Sequence, residues 1–126
     1  MSQAHYNRAT LIGRLTRDPE VRTTASGIVV ARFTVAVDRV RRNENGDKIT
    51  DFHRIVAWRR LAEIVGQYMK KGQLVAVEGA LQIDYYEREG VQKESVEVIA
   101  NNIQMLDRAD QLNSQGVPVT VAQEQV

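Results

Sequence analysis

Apolar and polar positions alternate with a period of two through five stretches of this chain, the signature of half-buried strands. Residues 7–15 set Ala9, Leu11, Gly13 and Leu15 on one face and Arg8, Thr10, Ile12 and Arg14 on the other. Residues 28–38 turn Ala31, Phe33, Val35 and Val37 toward a core, with Arg32, Thr34 and Ala36 facing away. Residues 51–58 separate Phe52, Arg54, Val56 and Trp58 from His53, Ile55 and Ala57. Residues 73–85 point Val75, Val77, Gly79, Leu81 and Ile83 inward, and residues 94–105 align Val96, Val98 and Ala100. Between the third and fourth strands the period lengthens. Leu61, Ile64, Val65, Tyr68 and Met69 recur at helical spacing, which predicts an amphipathic helix of about three turns. Gly72 is placed as its C-terminal stop, with Lys70 and Lys71 set against the helix dipole.

Turn signals punctuate these stretches. Asp18-Pro19 and Ser26-Gly27 bracket one turn region, and Asn45-Gly46 marks a hairpin tip. Tyr85 to Lys93 reads as a long hairpin with Gly90 near its tip. Gly13 inside a strand marks a bulge or a close backbone approach. Residues 109–126 are Gln-rich, include Gly116 and Pro118, follow neither period and read as a disordered polar tail. The expected organisation is one domain over residues 1–108 followed by that tail. The fold class is all-β with one helix. Five strands with a helix between the third and fourth fit a Greek-key barrel of the OB type, whose second and third strands bind oligonucleotides or oligosaccharides.

Composition narrows the chemistry. The 126 residues contain no Cys and only two His, His5 and His53, so thiolate chemistry and a multi-His metal site are not expected. No carboxylate cluster of the nuclease kind and no phosphate-cradling Gly loop occurs, so no enzyme, cofactor or metal is expected. There is no apolar run of membrane-spanning length and no signal-peptide pattern near the N-terminus, so a cytoplasmic protein is expected. Residues 1–108 carry 17 basic and 14 acidic side chains, a net of +3, while residues 109–126 carry −2. That balance is weak evidence for a nucleic-acid partner. The identity of the bases says more, because 13 of the 17 are Arg, which forks onto phosphate and stacks on bases. Arg39, Arg41 and Arg42 crowd the arm toward Asn45-Gly46 and could follow a phosphate backbone.

The third strand carries the sharpest candidate site. Phe52 and Trp58 flank Arg54 on one face, an arrangement suited to stacking bases and pairing with phosphate. Aromatics in a strand can equally be core, and this segment alone leaves both readings open.

Linked motifs then add a resemblance. Asn7–Leu15 is followed by Asp18-Pro19-Glu20-Val21-Arg22, then Phe52-His53-Arg54-Ile55-Val56 and Leu61-Ala62-Glu63. Tyr68-Met69-Lys70-Lys71-Gly72, Val77-Glu78-Gly79 and Gln104-Met105-Leu106 complete the series. In this order and spacing, residues 5–107 resemble the bacterial-type single-stranded DNA-binding proteins. The resemblance implies sequence-independent binding and protection of single-stranded DNA, in replication, repair or recombination, by a homotetramer. By position it makes Phe52, Trp58 and Tyr86 the stacking residues. It places Arg8, Arg14, Arg32, Thr34, Arg54, Arg60, Lys70 and Lys71 along the DNA path, and His53 at a subunit contact. A further stacking aromatic usual in the family is missing, and Arg41 falls near its place. The family's acidic tip is also not seen in the closing Val-Ala-Gln-Glu-Gln-Val126, so tail-mediated recruitment of replication and repair proteins is not supported by this C-terminus. Two other readings compete. An OB-fold interaction module would not need the aromatic set, and a cold-shock-type RNA chaperone would be shorter, with aromatic strands near its N-terminus.

Overall fold

The computed structural model describes residues 4–106 and 120–122. Strands β1 (Ala9–Leu15), β2 (Glu20–Thr23), β3 (Val29–Asp38) and β4 (Thr50–Trp58) precede the helix α1 (Arg59–Tyr68). Strands β5 (Leu74–Arg88), β6 (Val91–Met105) and β7 (Thr120–Ala122) follow it.

Five of these strands close on themselves. β1 pairs antiparallel with β5, β5 with β6, and β3 with β4, while β4 runs parallel to β6 through Arg54↔Glu97, Ile55↔Val98 and Val56↔Ile99. The ring shuts where the end of β1 leaves β5 and pairs with β3, at Arg14↔Ala36 and Leu15↔Val35. This is the expected OB-type barrel, and closure removes the free edges of its five strands.

Two glycines make the geometry possible. At Gly13, where β1 passes from one partner to the other, a Cβ would collide with the carbonyl oxygen of Ala36. At Gly79 the β5–β6 register shifts by a bulge, and a Cβ would collide with the carbonyl oxygen of Ile99. Both sites bring two backbones closer than any side chain allows.

The inward face of every barrel strand meets in one core. Leu15, Phe33, Val35, Ile55, Val75, Val77, Val98, Ile103 and Met105 are buried there. Helix α1 adds Leu61, Ala62 and Val65, and Met69 follows at its C-terminal cap. Each fully buried Val, Leu or Ile contributes about 1.5–3 kcal/mol through the apolar surface it withdraws from water. The helix follows β4 without a loop, and Arg59 makes the turn with a left-handed backbone (φ 61°).

Several expectations need correction. Gly72 does not end the helix: α1 stops at Tyr68, Met69 is extended, and Gly72 sits in the turn to β5, donating its N–H to the carbonyl of Leu15. With the helix ending early, the last turn contains no basic residue, so Lys70 and Lys71 do not act on its dipole from within it. Leu81 and Ile83 do not face the core, being 45% and 48% exposed, and Val96 opposite Ile83 is 47% exposed. The reason is length. β5 and β6 pair from Val75↔Met105 to Arg88↔Val91, and their distal halves run past the barrel as a two-stranded arm. Two short strands also escape the periodicity argument. β2 has four residues, all exposed, and pairs with β3. β7 lies within the segment expected to be a disordered tail, and pairs with Asn102, Ile103 and Gln104 of β6. The remainder of that tail falls outside the described residues.

Candidate nucleic-acid interface

The outer face of β4 is built by its place between β3 and β6. Alternation sends Ile55 and Ala57 into the core, so Phe52 and Arg54 must point outward. Phe52 is 66% exposed, and Arg54 is exposed with no hydrogen-bond or ion-pair partner among the described residues. Thr34 stands directly across the β3–β4 ladder from Arg54, and Ala36 across from Phe52. An exposed ring thus sits two residues from an uncommitted guanidinium, beside a hydroxyl and a methyl too small to cover either.

The rest of the expected platform is less open. Val56 shares the outer face by alternation but is buried, with Arg32 of β3 and Ile99 of β6 at its sides in the ladders. Trp58 is half-buried at the end of β4, opposite the buried Val30. The two aromatics of this strand are therefore unequal: Phe52 offers a free ring and Trp58 a partly covered one.

Below Arg54 the surface dips into a cleft of about 280 Å³. Arg17, Asp18, Glu20, Arg32, Thr34, Arg54 and Glu97 are among the residues lining it. The cleft gathers three of the expected residues, Arg32, Thr34 and Arg54. It also contains Arg17 and Glu97, which sequence reasoning missed. Glu97 could not be found by local pattern, because only the parallel β4–β6 pairing brings it alongside Arg54.

The other expected residues lie elsewhere. Arg8, just before β1, pairs with Glu78 of β5 at 3.0 Å. Arg14 donates from Nη1 to the carbonyl of Gly72 at 3.0 Å. The backbone N–H of Lys71 donates to Asp18 Oδ1 at 2.8 Å, which ties the Lys70–Lys71 turn to the loop after β1 while both lysines stay exposed. Arg60 is exposed in the first turn of α1. Tyr86 is 44% exposed on the arm, opposite Lys93. His53 is half-buried on the side of β4 opposite Arg54, across from Val35.

The basic arm between β3 and β4 is partly committed. Arg39 grips Asp51 through Nε–Oδ2 at 2.8 Å and Nη2–Oδ1 at 3.0 Å. That hydrogen bond holds the Asp51 carboxyl below its usual pKa and raises Arg39. Asp38 is likewise lowered, first by the hydrogen bond from Thr50 and then by Lys48. Arg42 donates to the carbonyl of Gly46. Arg41 has no partner among the described residues, and Val40 beside it is fully exposed.

The comparisons with known proteins agree on this architecture. The profile of the Single-strand binding protein family matches residues 6–106. The chain belongs to that family. Single-stranded DNA-binding protein 1 of Staphylococcus aureus strain Mu50 is 49% identical over 102 residues, covering 80% of this chain and 65% of that protein. The single-stranded DNA-binding protein of Halalkalibacterium halodurans is 46% identical over 102 residues, covering 80% of this chain and 61% of that protein. The matched region thus spans less than two thirds of these relatives. A solved structure described as Plasmodium falciparum SSB complex with ssDNA superposes with a TM-score of 0.76 at 28% identity. It covers 85% of this chain and the whole of that one. These family members are named for binding, and none of these names describes an enzyme.

Proposed function

We propose that this chain binds single-stranded DNA without regard to sequence, on the outer face of β4 and its surroundings. The observation that carries the reading is the exposed Phe52 ring beside Arg54, which has no partner among the described residues, with Thr34 facing it across the ladder. A base stacks on a free aromatic ring with about 1–3 kcal/mol, whatever its identity. Arg54 meets the phosphate next to it, and Arg41, Arg60, Lys70 and Lys71 extend the charge along the backbone path. Duplex DNA is rejected because its paired bases do not offer a face. The half-buried Trp58 and Tyr86 on the arm complete the stacking set. The kinship with proteins named for single-stranded DNA binding supports this reading, as does the likeness to a structure titled as an ssDNA complex.

We also propose that the chain acts as a homotetramer, without enzymatic activity or cofactor, in the cytoplasm on nucleoid DNA during replication, repair or recombination. The exposed Leu81, Ile83 and Val96 of the arm and the half-buried His53 are the surfaces offered for subunit contact. The reading is tested by Trp58 fluorescence during titration with oligothymidine at low and high salt, with duplex of equal length as control. Trp58 is the sole Trp, so the signal reports one position per subunit. Quenching by single strand alone, weakening with salt, supports the proposal. Equal response to duplex overturns it and favours an interaction module.

A further inference from the structure

The cleft beside β4 holds a carboxylate that the binding mode above does not use. Glu97 stands on β6 with only 13% of its side chain exposed. Its Oε2 accepts a hydrogen bond from Arg32 Nη1 at 2.6 Å. The parallel ladder places it alongside Arg54 as well. A carboxylate and a phosphodiester are both anionic acceptors of the same guanidinium N–H groups. Glu97, in the register position beside Arg54, therefore takes from within the chain a contact with Arg32 that a DNA phosphate would otherwise make.

We propose that Glu97 is an internal competitor for the DNA backbone, holding down the affinity of this face. The inference rests on reading the face as a single-stranded DNA platform. Because the carboxylate is mostly buried, salt screens it less than a surface acid, and it repels an incoming phosphate more strongly. It also offsets the charge of Arg32 in advance, which makes Arg32 and Arg54 unequal. Arg54, with no partner among the described residues, takes the first phosphate, whereas Arg32 stays shared. The strand is thus held by stacking while its backbone contacts remain exchangeable.

Glu97→Gln tests this directly, since it keeps the size and a hydrogen-bond acceptor but removes the charge. Oligothymidine should bind about fivefold more tightly at low salt, as expected when a close charge is deleted. The slope of log affinity against log salt should steepen by about 0.7, one added phosphate contact on a single strand. Glu63→Gln changes net charge equally from the exposed side of α1, outside the cleft, and should leave both values unchanged. Arg32→Gln should cost less affinity than Arg54→Gln, a comparison that stands even if Glu97→Gln fails to fold. Unchanged or weaker binding by a folded Glu97→Gln overturns the proposal and makes Glu97 a scaffold for Arg32. A larger loss in Arg32→Gln than in Arg54→Gln overturns it too. Failure of the unaltered protein to bind oligothymidine at any salt would instead remove the platform reading, and this inference with it.

Discussion

Strands β5 and β6 contain two regions with one pattern and opposite fates. In the barrel half, Val75, Val77, Ala100, Ile103 and Met105 are buried. In the arm, Leu81 and Ile83 continue the β5 alternation, Val96 continues that of Val98 and Ala100 on β6, and all three are exposed. Both halves belong to one antiparallel ladder, and the bulge at Glu78/Gly79 falls within the barrel half, since Val98 and Ala100 beyond it are still buried. Alternation decides which side chains share a face. It does not decide whether anything packs against that face. In the barrel these side chains share one core with buried residues of β1, β3, β4 and α1. In the arm Leu81, Ile83 and Val96 stay about half exposed, which is the apolar surface proposed above for subunit contact.

Substitutions can break this contrast. Val77→Asp should have the largest effect, because it places an unpaired charge in a sealed core. A loss of about 4 kcal/mol or more is expected by denaturant titration, enough to unfold most small domains. The same change on the arm, Ile83→Asp, should leave the stability of the barrel within about 0.5 kcal/mol. It should instead weaken self-association, read by sedimentation; unaltered assembly would remove the arm as a subunit contact.

The second contrast lies within β4. Phe52→Ala should weaken oligothymidine binding by about 1–3 kcal/mol with no loss of fold, since the ring is free. Trp58→Ala should lower binding less and stability more, because its ring is partly packed. Equal effects of the two would mean that exposure does not rank the stacking residues. Arg54→Ala should come next, flattening the salt slope by about 0.7 for one lost phosphate contact. An unaltered slope would place Arg54 off the backbone path.

The smallest effect belongs to the clamped arm before β4. The hydrogen bond from Arg39 depresses the Asp51 pKa in the folded state, so the pair stabilises at neutral pH and fails as pH falls through that depressed value. The Asp51 carboxyl carbon, followed by NMR, should titrate below the ordinary carboxylate value. Arg39→Gln should return it toward that value. An unshifted midpoint would contradict the clamp.

The barrel strands were legible because their signal is local. Phe33, Val35, Ile55 and Val77 face inward as their alternation requires, and the exposed Phe52 and Arg54 follow from the same rule. What was not legible is set by non-local pairing. Val56 shares its face with the exposed Phe52 and Arg54 yet is buried, and the Arg32–Glu97 ion pair spans the two strands that flank it. Glu97 looks like an ordinary surface acid until parallel pairing sets it beside Arg54. Gly72 looks like a helix stop because it follows the periodic residues, although Met69 had already turned extended. β2 and β7 are too short for a period to show.

The outer face of β4 as a single-strand platform is tested most directly by ultraviolet cross-linking to oligothymidine, with the adducts mapped by peptide mass spectrometry. The account predicts adducts at Phe52 first, then at Trp58 and Tyr86, competed away by excess single strand and not by duplex. Adducts confined to other surfaces, or competed equally by duplex, would contradict it.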